Sequence, residues 1–127
     1  MADDLAKKGM ELRTKLFGAK GAAAGHEYLK EFDEDFANFL NEQLFGGIWT
    51  RPGLETKTRS MITMAALMAL GRGPELRVHM RGALNLGITH TELKEMIFHL
   101  SQYSGVPTAV EAMRAFREVT EPKKPKA

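Results

Sequence analysis

Arg72, Glu75 and His79 crowd into one short stretch, Gly71-Arg72-Gly73-Pro74-Glu75-Leu76-Arg77-Val78-His79. Two glycines and a proline mark a helix break, and Pro74 suits the first position of the helix that follows. On that helix Glu75 and His79 are four residues apart and share a face. Arg72 precedes a helix N-terminus whose free N–H groups favour an anion, and the flanking glycines let the backbone approach one closely. A histidine handles protons near neutral pH, and a glutamate one turn before it is placed to orient it or set its proton affinity. The chemistry to expect is the holding of an anion next to a proton donor. Each residue also has a plainer reading: Arg72 as an exposed loop cation, His79 as a packing histidine on the shoulder of an apolar stripe, Glu75 as a favourable charge in a first turn.

Two further groups stand out. In Ile48-Trp49-Thr50-Arg51-Pro52-Gly53-Leu54 the Pro-Gly pair suits the centre of a type II turn, which puts Trp49 and Arg51 on a rigid surface loop. Trp49 then covers either a pocket or a partner subunit. His99 and Tyr103 share a helix face four residues apart and either line a pocket wall or hydrogen-bond within the core, the core reading being preferred for His99.

Composition removes whole classes of function. The chain has no cysteine, which excludes disulfides, thiolate metal sites and thiol chemistry. Four histidines form neither an HExxH pattern nor a close pair, so no metal site is expected. The formal charge of +2 comes from the tail; outside residues 121–127 basic and acidic side chains balance, and a nucleic-acid partner has no visible electrostatic source. No apolar run reaches the eighteen or so residues that cross a bilayer, and the N-terminus lacks a secretory pattern, so a cytoplasmic protein is expected.

The elements that must position these residues read as helices. At 127 residues the chain is the length of one domain, expected over residues 1–120. A first helix is expected over 4–16 (Leu5, Leu12, Leu16), a Gly/Ala-rich connector over 18–25, and a second helix over 26–44 with Leu29, Phe32, Phe36 and Leu40 as a core stripe, ended by Gly46-Gly47. The third, 55–70, is apolar nearly all the way round and calls for cover by another subunit. The fourth runs over 74–86 with Leu76, Met80, Ala83 and Leu84 inward and Gly87 past its end. The fifth opens at Thr89 with a capping box closed by Glu92. The sixth, 107–119, faces Val110, Met113 and Phe116 inward. Arg77 and Arg81 read as a solvated face, and residues 121–127 as a disordered basic tail. With no period-two alternation of strand length, the class is all-α with about six helices.

The segments GMELRTKLFG, EFDEDFANFL, IWTRPGLETKTRS, GRGPELRVHMRGALNLGIT and YSGVPTAVEAMRAF resemble the carboxymuconolactone decarboxylase family, over roughly Gly9 to Val119. The resemblance implies an alkylhydroperoxidase D-like helical bundle in a ring-shaped homohexamer. It also implies cofactor-free decarboxylation of 4-carboxymuconolactone to 3-oxoadipate enol-lactone in aromatic catabolism. The thiol-peroxidase branch of that superfamily carries a glutamate, a CxxC pair and a histidine. Here Ser60, Arg72 and Glu75 stand in place of the first three and only His79 remains, so peroxidase chemistry is not carried over.

For the implied dicarboxylate lactone, loss of CO2 sends an electron pair onto the substrate's own lactone carbonyl, so no cofactor is required. The protein must hold a dianion, stabilise the developing oxyanion and supply a proton. Two carboxylates call for arginine: Arg72 first, Arg51 second, Arg59 third. His79 then acts as acid or as donor to the lactone oxygen, oriented by Glu75, with Trp49, His99 and Tyr103 as further substrate contacts. The alternatives are a decarboxylase or isomerase of a related lactone, and a non-catalytic oligomer that binds a small acid.

Overall fold

A computed structural model describes residues 2–121. Apart from Glu121, the expected tail lies outside them. The chain divides into two compact units, Met1–Arg59 and Ser60–Ala127. All regular structure among the described residues is helical.

In the first unit, α1 (Ala2–Phe32) is two helical stretches joined at Gly18, whose backbone angles (φ 80°, ψ 160°) lie outside the helical region. The expected connector over 18–25 thus shrinks to a single glycine, the residue that takes a left-handed φ without steric penalty. The expected second helix breaks at Asp33, where the backbone is extended and the carboxylate accepts the Phe36 N–H at 2.8 Å. That cap opens α2 (Glu34–Phe39), and a π-helical stretch, Leu40–Ile48, follows directly. The core of this unit is Leu12, Leu16, Ala22, Ala37, Phe45 and Trp49. Phe32 and Phe36, expected inside, are 66% and 45% exposed; the break at Asp33 rotates the two halves of the stripe out of register.

Gly46 does not end its helix. A Cβ there would fall inside the contact distance of the Leu5 carbonyl oxygen, and one at Gly9 would strike the Asn41 backbone. These two glycines are where α1 and the π-helical stretch lie against each other, and Asn41 Nδ2 donates to the Ala6 carbonyl across the same seam at 3.0 Å.

The second unit comprises most of α3 (Thr56–Leu70), with α4 (Gly73–Asn85), α5 (His90–Ser104) and α6 (Val106–Thr120). Its core is Met64, Met68, Leu76, Met80, Ala83, Ile88, Leu93, Ile97, Ala112 and Ala115. Each helix boundary has a local cause. Pro74 sits in the first turn of α4, Thr89 and Glu92 complete the expected capping box of α5, and Gly87 and Gly105 take positive φ between helices. Val110 is 44% exposed, and in α6 the smaller Ala112 and Ala115 take the fully buried positions. Only one stripe of α3, Ser60, Met64 and Met68, is buried; Ile62 and Leu70 remain 54% and 70% exposed.

Candidate functional site

The start of α4 is built as the sequence suggests. Gly71 takes φ 69°, the Arg72 N–H donates to the Leu67 carbonyl at 2.9 Å, and the Arg72 carbonyl accepts the Leu76 N–H at 2.9 Å. Arg72 is therefore the last residue before the helix, and its side chain is exposed. Glu75 in the first turn is exposed as well. His79, one turn further on, is largely buried between the core positions Leu76 and Met80.

Burial pushes the His79 imidazole down to about 4. The cause is desolvation, which disfavours the charged form; Glu75, from its exposed position, does not set the proton affinity of His79. At neutral pH the ring is uncharged, an N–H donor on one nitrogen and an acceptor on the other.

Arg77 is not a solvated cation. Its Nε and Nη2 donate to Glu118 and its Nη1 donates to Glu111 at 3.0 Å, tying α4 to α6. The two carboxylates hold its pKa above the ordinary arginine value, and its hydrogen bonds in turn hold Glu111 and Glu118 below the usual carboxylate range.

His99 and Tyr103 stack at 5.2 Å between ring centroids with 29° between planes. Both are exposed, so His99 is not a core histidine. His99 lines an open groove of about 480 Å³ between α3 and α5, with Met61, Ile62, Ala65 and Leu100 on its walls and Glu92 and Glu95 at its side. An apolar groove with two carboxylates beside it suits an uncharged surface better than a dianion.

In the first unit Trp49 is 6% exposed and stacks on Phe45 at 6.3 Å, so it is a core residue there and not a loop cover. Arg51 is exposed, and its carbonyl accepts from Arg59 Nη2 at 3.1 Å. Gly53 is not among the glycines of positive φ, so the Pro52-Gly53 turn is not type II. The candidates thus form three local groups: Arg72 with Glu75 and His79, Arg51 with Arg59, and His99 with Tyr103.

Sequence reading missed Arg13 and His26. Arg13 is 3% exposed, its guanidinium lies 4.8 Å from the centroid of the Phe45 ring, and Nη1 meets His26 Nδ1 at 3.2 Å. A signal was present: Gly9, Arg13 and Leu16 share a helix face, so an arginine stands in a row that must be buried. Among the described residues no group of His, Asp and Glu is placed to hold a metal ion.

Comparison with known proteins places these features in a family. The family model "Carboxymuconolactone decarboxylase family" matches residues 34–118. The chain is 46% identical, over 89% of its length and 84% of the relative's, to a 4-carboxymuconolactone decarboxylase of Acinetobacter baylyi. It is 31% identical, over 84% of its length and 74% of the relative's, to the nitrosuccinic acid decarboxylase npaB of Metarhizium robertsii. An uncharacterized 15.0 kDa protein of Paracoccus denitrificans is 36% identical over 61% of this chain and 60% of its own. With the matched segment extending from α2 through most of α6, and an all-helical fold around it, the chain belongs to the carboxymuconolactone decarboxylase family.

Proposed function

We propose that this protein is a cofactor-free carboxy-lyase that converts 4-carboxymuconolactone to 3-oxoadipate enol-lactone. The observation that carries the reading is the 46% identity to a 4-carboxymuconolactone decarboxylase, sustained over 89% of the chain. The chemistry asks little of the protein beyond electrostatics. As the C–C bond to the departing carboxylate breaks, its electron pair moves through the ring double bond to the lactone carbonyl, and CO2 leaves. The resulting dienolate takes a solvent-derived proton at the ring carbon next to the carbonyl.

In this proposal Arg72 binds a substrate carboxylate at the N-terminus of α4, where unpaired N–H groups add to the attraction. Neutral His79 donates its N–H to the enolate oxygen as negative charge develops there. It enters the cycle as a hydrogen-bond donor and not as a stored imidazolium, since burial keeps it uncharged. Glu75, one turn before His79 on α4, orients it, and Arg51 and then Arg59 are the next candidate ligands for the other carboxylate. The working form is a cytoplasmic homo-oligomer, a hexamer by family resemblance. The exposed apolar side chains Ile62, Leu70, Val78 and Phe98 support an oligomer, being 47–70% exposed in the single chain.

A second reading has one observation in its favour, the 31% identity to a nitrosuccinic acid decarboxylase. A nitro group on the carbon losing CO2 accepts the electron pair as a nitronate, so that substrate also carries its own sink. The alternative is therefore a related acid with a different built-in acceptor.

The deciding experiment is CO2 release and loss of ultraviolet absorbance on adding fresh 4-carboxymuconolactone to purified protein without metal or reductant. Turnover that falls about 10²- to 10³-fold in His79→Ala, and that falls in Arg72→Ala as well, supports the reading and its residues. A folded protein that turns over nitrosuccinic acid and leaves the lactone untouched would establish the second reading instead.

A further inference from the structure

Arg13 is a buried cation for which the described residues supply no carboxylate. Among the described residues none of the ion pairs includes it, and desolvation holds its pKa below the ordinary arginine value. The contact with Phe45 at 4.8 Å offsets only part of the lost hydration. Taking an ion out of water without a counter-ion costs several kcal/mol even after relaxation. A ring face and a neutral imidazole leave the guanidinium under-compensated.

The geometry shows which edge is unused. Nη1 is taken by His26 Nδ1. Nε is buried and meets no acceptor among the described residues. Nε–H and Nη2–H lie side by side on the same edge of a guanidinium, the fork that matches the two oxygens of a carboxylate. Beside Nη2 stands Gly25, where an added Cβ would sit at 3.3 Å, so the bare glycine leaves that donor uncrowded. Gly25 and His26 are both part-exposed. His26, accepting at Nδ1, carries its own proton on Nε2 and adds a third donor at this end of the cluster.

We propose that Arg13 and His26 form a binding site for a small carboxylate, held by the Nε/Nη2 fork of Arg13 and approached past Gly25. The carboxylate has two possible sources: one arm of the substrate, which rests on the function proposed above, or a free small acid, which does not.

The test uses the whole protein, titrated with acetate and with succinate against chloride at matched ionic strength, and reads the ring C–H resonances of His26 by NMR. In the wild type the His26 signals shift saturably with either carboxylate and not with chloride. The pKa of His26, now lowered by burial and by Arg13 and Lys30 against the opposite pull of Glu27 and Glu34, rises on saturation. Arg13→Met, which keeps the packing volume, abolishes the saturable shift, while Arg13→Lys retains a weakened one. Absence of a saturable shift in folded wild type, or the same shift in Arg13→Met, overturns the proposal whatever the catalytic assay shows. A rise in KM for 4-carboxymuconolactone of roughly tenfold in Arg13→Met, with succinate competitive, assigns the site to the substrate. An unchanged KM with the shift intact in wild type assigns it to a free acid.

Discussion

An imidazole whose pKa is held near 4 is uncharged over the whole working range of an enzyme, and this has a cost that pH exposes. The unfolded chain titrates His79 at its ordinary 6.5 and the folded one at about 4, so between those values the unfolded state binds more protons. Stability from this residue is complete above about 6.5 and is lost progressively as pH falls toward 4. The full shift corresponds to on the order of 3 kcal/mol. Urea unfolding of wild type should therefore lose more stability between pH 7 and 4.5 than that of His79→Gln, and a His79 resonance still titrating near 6.5 would refute the burial argument. Residue identity and spacing mark Arg72, Glu75 and His79 as candidates. They were not enough to tell that Glu75 stays in solvent while His79 does not, because two residues four apart on a helix are neighbours that still meet different surroundings.

Between elements, the link from α4 to α6 rests on Arg77 and its two glutamates. Because hydrogen bonds from Arg77 lower both carboxylates, their contribution is present above the usual carboxylate range and is lost as pH falls through the lowered values. Arg77→Met is expected to destabilise the protein by roughly 1–2 kcal/mol at pH 7. A double-mutant cycle with Glu118→Gln measures the coupling, and independence of the two changes would return Arg77 to a solvated face. In the first unit, Gly46→Ala drives a Cβ against the Leu5 carbonyl oxygen. Backbone cannot rotate away as a side chain does, so a loss of about 1–3 kcal/mol is expected, seen as a lower urea midpoint. A Gly47→Ala control, whose Cβ meets Glu42 O at an ordinary 3.5 Å, should lose less.

For the molecule as a whole, several large apolar side chains are left in water in the single chain. Ile62, Leu70, Val78 and Phe98 lie on three helices of the second unit, and the proposed oligomer would cover them. Sedimentation equilibrium at micromolar concentration should give a mass several times that of the chain, with Ile62→Asp and Leu70→Asp moving it toward the monomer. A wild type that sediments as a monomer would remove the oligomer from the proposed function.

Much of the fold was written in near-neighbour chemistry. The Thr89–Glu92 capping box, Pro74 at the start of α4, Gly87 after it and the stripe Leu76, Met80 and Ala83 depend on residues three or four apart, so spacing alone reveals them. Other features depend on segments far apart in the chain. Arg77 is partnered 34 and 41 residues away, Arg13 is buried against His26 and Phe45, Gly46 is needed because Leu5 lies against it, and Phe32 and Phe36 are exposed because Asp33 breaks the helix between them. Local hydrogen bonding and periodicity reach about one helical turn. Which charge is buried, which cation finds a carboxylate and which apolar face is left in water are settled by the packing of whole helices, and no spacing in the chain encodes that directly.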